Sequence, residues 1–213
     1  VLGESYGTLR AGAVAHRLED AGMSLNGVIL LSSIMNYGVR QPGYAQNFIT
    51  LLPTYAATAW YHGKVANPPA DLETHVQRAR EFALGPYAAA LAKGSMISDA
   101  ERAAVAREMS ALIGVSPAFI DQANLRVELS DFRKELLRDR RQTVGRLDSR
   151  YIGIDSDATG GAPETDPSST AVGGVYFGVF RDYVANRLNY RTDLDYRQSA
   201  RGLPGFNWDW SHR

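Results

Sequence analysis

Apolar and small residues at Leu9, Ala13, Leu18 and Ala21 recur at helical spacing and stop at Gly22, so the stretch from Tyr6 to Met23 predicts a helix with a glycine cap. The next run, "NGVILLSS", is short, β-branched and bounded by turn residues; it reads as a buried parallel strand. With the stub Val1-Leu2 ahead of the helix, these pieces predict one strand–helix–strand crossover of a doubly wound sheet. From about Met35 the character changes. Residues 36–69 are rich in aromatics, Pro and Gly, with short helical runs and no strand alternation. Leu72, Val76, Ala79, Phe82 and Ala83 then mark a helix, and Ser98 with Glu101 forms a capping box ahead of another that closes at Gly114. Ser116-Pro117 opens a short helix, and Phe132, Leu136 and Leu137 share one face of a further one. Residues 143–157 read as an extended passage, 158–170 as a polar Gly/Pro-rich loop, and Val175, Val179, Tyr183 and Val184 as one helical stripe. The tail 191–213 is aromatic-rich without periodicity, and no internal repeat stands out.

Composition narrows the function classes. The chain has 213 residues, 45% of them apolar, enough for one good core. Its 23 basic and 23 acidic residues cancel, which leaves no electrostatic footprint for nucleic acid or an anionic membrane. Arg138-Asp139-Arg140-Arg141 reads as a solvated helix end. There is no cysteine, hence no disulfide frame and no thiol chemistry. The longest strongly apolar run, "GVILL", falls far short of the roughly 20 residues a membrane-spanning helix needs.

One motif carries chemistry. Gly3-Glu4-Ser5-Tyr6-Gly7 is G-x-S-x-G, the nucleophile elbow of α/β-hydrolases, where a serine sits on a tight strand-to-helix turn. Flanking glycines let the backbone bend without a Cβ clash, and the bend presents Oγ to a base and a substrate. The strand and helix predicted on either side are the context this motif requires.

Beyond the motif, "GESYGT", "LNGVILLSS", "LPTYAATAWYHGK", "YAAALAKG", "NLRVELSDFRKELLRD", "VGRLDSRYIG" and the "DPS" before the late helix resemble the serine carboxypeptidase-like peptidases, in their bacterial branch. The resemblance covers essentially the whole chain. It implies an α/β fold: an α/β-hydrolase core fragment with the elbow over residues 1–34, a mostly helical cap or lid over 35–190, and a return segment over 191–213. It implies removal of single residues from peptides with a free C-terminus, with no metal, no cofactor, no nucleic acid and no membrane insertion, in a periplasmic or secreted setting. Ser5 would be the nucleophile. The backbone N–H of Tyr6 would supply half of the oxyanion hole, with its ring near the substrate's penultimate side chain. Glu4 would help hold the substrate's terminal carboxylate, sharing a proton with a second glutamate that this chain lacks. The family's triad aspartate and histidine patterns, and its first oxyanion donor, are also missing, so the chain reads as an interior slice. Another serine hydrolase (esterase, acyltransferase or aminopeptidase) and a non-catalytic binding protein stay open.

The other candidates carry weaker expectations. His16 lies eleven positions beyond Ser5 on the same predicted helix, about 16 Å away, too far to serve it. His75 reads as solvent-facing, His62 as packed among aromatics, and His212 as the only late histidine, in a segment unlike the family's. Tyr55, Trp60 and Tyr61 are candidates for lining a pocket or for simple core. Asp148, Asp155 and Asp157 match no ion-binding spacing; Asp148 reads as a partner for Arg146 or Arg150.

Overall fold

A computed structural model describes residues 1–41, 44–196 and Gly205. The described residues fall into two compact units, one within Val1–Asn47 and the other within Phe48–Arg201. Residues 197–204 and 206–213, with His212 and most of the expected return segment, lie outside them.

The first unit is built as its sequence pattern requires. Strand β1 (Leu2–Glu4) leads into helix α1 (Tyr6–Asp20), and the chain returns as β2 (Ile29–Leu31). The two strands pair in parallel, with Leu2 opposite Ile29, Gly3 opposite Leu30 and Glu4 opposite Leu31. Beyond this corner the unit buries little. Thr8 and Ala11 are the buried residues of α1, while Leu2, Ile29, Leu30 and Leu31 are all exposed. Strand β2 thus pairs in parallel as expected but is not the buried strand its apolar run suggested, having only β1 beside it among the described residues.

The second unit is helical. Helix α2 (Gln46–Tyr61) runs through Pro53 and buries Ile49, Leu52, Tyr55, Ala56 and Ala59. Its aromatics and proline had suggested only short helical runs. Helix α3 (Leu72–Phe82), capped by Asp71 on the Thr74 N–H, passes through a widened turn, Ala83–Tyr87, into α4 (Ala88–Lys93). Pro86 lies within that widened turn; having no N–H, it cannot make the regular i→i−4 bond there. Helix α5 (Asp99–Ile113) is capped by Ser98 and stopped by Gly114 at φ 72°. Only half of the expected capping box forms, because the Glu101 carboxylate pairs instead with Lys93 at 2.6 Å. Helices α6 (Pro117–Gln122) and α7 (Leu129–Glu135) follow, then a hairpin of β3 (Gln142–Val144) and β4 (Ile152–Ile154), and finally α8 (Pro167–Asp182). Helix α8 starts earlier than its apolar stripe suggested, since the Asp166 side chain accepts from the Ser168 N–H and Pro167 is suited to a first helical position.

The expected α/β class is corrected by this architecture. Helix accounts for 57% and strand for 6%, and each strand has three residues in one of two separate pairs, so no doubly wound sheet is present among the described residues. The physical reason lies in the pattern after β2. Apolar positions there repeat at three and four, and the one extended passage closes on itself as an antiparallel hairpin rather than adding a parallel strand.

The core of the second unit gathers Leu52, Tyr55, Phe82, Tyr87, Met109, Ile113, Ile120, Phe132, Leu136 and Leu137, each no more than 4% exposed. Tyr55 stacks on Phe132 with ring centroids 4.1 Å apart, and Tyr87 donates to the Leu125 carbonyl at 2.6 Å. Burial pushes both phenols well above their usual pKa. Tyr55 is therefore core rather than a pocket wall. Arg133 and Lys134 on α7 are buried too, against the usual rule for such residues. Arg133 donates to the Val144 carbonyl and to Asp166. Lys134 pairs with Asp155 at 2.6 Å and also donates to the Asp157 carbonyl. Arg138 donates to the carbonyls of Ala158 and Gly160, so it anchors the following loop and is not the solvated helix end expected of it.

Candidate active site

The Gly3–Gly7 motif folds into a corner where β1 turns directly into α1. Ser5 occupies the turn with φ 52° and ψ −119°, a conformation L-residues other than glycine rarely adopt. An ordinary capping serine would be extended and would accept a hydrogen bond from the helix's first turn. The chain supplies its own comparison. Ser98 and Ser116 are extended and accept from the N–H groups of Glu101 and Phe119, whereas the Ser5 side chain makes no capping bond and the residue is exposed. Ser5 is thus not a helix cap.

What holds the turn is backbone. The Ser5 N–H donates to the Leu31 carbonyl at 3.0 Å, and the Ser5 carbonyl accepts from the Thr8 N–H at 3.0 Å. Gly3 is required by space. A Cβ there would lie 2.1 Å from the Gly7 carbonyl oxygen and 2.9 Å from the Ala11 Cβ, so the strand and helix approach closely only because residue 3 has no side chain. The second flanking glycine is different. Among the described residues nothing lies within 4 Å of a Cβ built at Gly7, which corrects the expectation that both glycines relieve a clash. Gly3→Ala is therefore expected to disrupt the corner. Gly7→Ala should leave it intact and stabilise α1 by up to about 0.5–1 kcal/mol. Urea denaturation of the two variants checks this; equal losses would show that the close approach at Gly3 does not exist.

Glu4 ends β1 and is exposed. Tyr6 opens α1, where backbone N–H groups and the helix dipole favour negative charge. Its ring lies 6.1 Å from that of Tyr37, in a short turn capped by the Asn36 side chain on the Gly38 N–H. Ser5, Glu4 and Tyr6 are therefore brought together on one turn.

Three of the four histidines have contacts of their own among the described residues. His16 is exposed and lies 3.6 Å from Asp20, one turn along its own helix. In the second unit, His62 contacts the Ser149 carbonyl at 2.7 Å and meets Tyr61 edge-on. His75 is 1% exposed, with Nε2 on the Leu112 carbonyl and Nδ1 without a partner. That overturns its solvent-facing reading, because its helix turns this position onto α5. His212 lies outside the described residues. Trp60 donates to the Pro69 carbonyl, and Tyr61 is exposed.

The aspartates find structural partners. Asp148 pairs with Arg150 at 2.6 Å, whose hydrogen bonds pull its pKa down to about 2. Asp155 is the buried partner of Lys134, and Asp157 accepts from Thr159 in the loop. Asp166 is held below the usual carboxylate range: burial opposes its ionisation, but Arg146, Ser168 and Ser169 outweigh that by donating to it. No group of three or more His, Asp or Glu side chains among the described residues is placed to hold a metal ion. No helix among them is long and apolar enough to cross a membrane.

Sequence reasoning missed Thr8. It is 0% exposed, and its hydroxyl lies 2.6 Å from the Ser5 carbonyl, 3.2 Å from the Ile34 carbonyl and 2.9 Å from the Ile34 N–H. The available signal was a hydroxyl three residues after the elbow serine, on the side of α1 that carries Ala11. No family model, no curated protein and no solved structure matches this chain.

Proposed function

We propose that the protein is a serine-type carboxypeptidase with Ser5 as its nucleophile. The conformation of Ser5 carries the reading: an exposed, non-capping serine held at positive φ between a strand and a helix, in a Gly3-Glu4-Ser5-Tyr6-Gly7 motif. Ser5 Oγ attacks the last peptide carbonyl and loses its proton to a histidine base. The Tyr6 N–H, at the positive end of α1, stabilises the oxyanion. The C–N bond breaks, the C-terminal amino acid leaves with the proton, and water hydrolyses the acyl-enzyme by the same steps. On this reading the base and its aspartate come from outside the described residues. Glu4, next to the nucleophile and exposed, supplies the contact to the substrate's terminal carboxylate.

Glu4 also separates this reading from a general esterase or other serine hydrolase, which has no terminal carboxylate to bind. Glu4→Gln keeps an amide donor but removes the shared acid proton. A charge-assisted hydrogen bond contributes about 1.5–3 kcal/mol, so kcat/KM on a blocked dipeptide should fall roughly 10- to 100-fold. The C-terminal amide of the same dipeptide should lose much less. Parallel kcat/KM measurements on both substrates test this. Equal losses would leave a serine hydrolase without carboxypeptidase specificity.

A further inference from the structure

We propose that Thr8 is a positioning residue for the nucleophile turn, fastening Ser5 to the segment that follows β2. This rests on Ser5 being the nucleophile. Two non-glycine residues at positive φ, Ser5 at 52° and Ser32 at 50°, lie at the two strand ends of this one corner. Such conformations persist only when their surroundings over-determine them, and they gather where strain serves function. Here the determinants are few and can be named. Ser5 N–H holds the Leu31 carbonyl, immediately before Ser32, and Thr8 holds the backbone two residues after it.

The Thr8 hydroxyl has one proton and two acceptors in reach. The shorter contact, 2.6 Å to the Ser5 carbonyl against 3.2 Å to that of Ile34, takes it. The oxygen is then free to accept the Ile34 N–H at 2.9 Å. One buried hydroxyl thus links the carbonyl of one strained residue to the chain just beyond the other. That segment continues into Asn36, whose cap shapes the Tyr37 turn, and Tyr37 faces the Tyr6 ring. Loosening Thr8 therefore frees both the nucleophile and the Tyr37 turn beside Tyr6. Valine has the shape of threonine without the hydroxyl, so it removes the tie while filling the space.

The test uses the full gene product and three measurements on Thr8→Val and Thr8→Ser. In Thr8→Val, fluorophosphonate labelling of Ser5 and kcat should fall roughly 10- to 100-fold, the scale of a small misplacement at a reacting atom, with KM within about twofold. Thr8→Ser, which keeps the hydroxyl, should stay near the parent. Hydrogen exchange of residues 32–37 should rise in Thr8→Val and not in Thr8→Ser. Parent-like labelling in Thr8→Val would overturn the proposal, as would a serine variant as slow as the valine one. If Ser5 is unlabelled in the parent itself, the nucleophile reading fails separately. The exchange data then decide alone: unchanged protection of residues 32–37 in Thr8→Val refutes the tie.

Discussion

Ser5→Ala is expected to abolish fluorophosphonate labelling and to lower peptidase kcat on the order of 10⁶-fold, the loss seen when a triad nucleophile is removed. The size of the effect follows from what Ser5 alone supplies. On the proposed mechanism no acyl-enzyme forms without Oγ, and only binding and oxyanion stabilisation by the Tyr6 N–H would remain to assist water. The fold should hardly change. Ser5 makes no side-chain capping bond, so the variant should unfold within about 0.5 kcal/mol of the parent, as exposed substitutions usually do. The alanine must adopt the same positive φ, as serine already does, so the strain is common to both. Ser32 provides an internal control, since it too is exposed and at positive φ in this corner but stands at the end of a strand rather than at a helix start. Labelling that moves to Ser32, or persists unchanged, would show that the nucleophile is elsewhere.

The local elements of both units were legible because each depends on neighbours in sequence. Gly22 at φ 74° ends α1, Ser98 and Ser116 cap their helices, and the parallel pairing of β1 with β2 follows from a strand–helix–strand pattern. The wider α/β class was not, because one crossover does not dictate further strands. The sheet class rested on that one crossover and on the family resemblance, while the remaining apolar positions encoded helices. Long-range polar contacts were equally hidden. His75 sits on a helix whose other side is charged, and nothing local reveals that Leu112 receives it, 37 residues away in the chain. Thr8 looked like an ordinary helical residue until Ile34, 26 positions on, came to lie against it. The role of Gly7 was misjudged for a related reason, since a motif names two glycines but only the three-dimensional approach shows which one is crowded.

The largest stability effect in the second unit is expected at Lys134, which the sequence presented as one more charge on an amphipathic helix. Its ammonium and the Asp155 carboxylate are 1% and 3% exposed and 2.6 Å apart, and the other Asp155 oxygen has no hydrogen-bond partner. Taking two charges out of water is costly, so the pair contributes little net stability, yet removing one partner strands the other. Lys134→Met should therefore destabilise the protein by about 3–5 kcal/mol, a large part of the roughly 5–15 kcal/mol typical of a domain. The lysine's bond to the Asp157 carbonyl goes with it, so the loop that starts at β4 should loosen in the same variant. Adding Asp155→Leu removes the stranded carboxylate and should restore most of the loss, because apolar replacements of a buried pair are often neutral or better. Urea unfolding of the parent, both single variants and the double variant closes the cycle. Additive losses in the double variant would mean that the two side chains do not depend on each other. The buried lysine would then be held by the loop carbonyl rather than by Asp155.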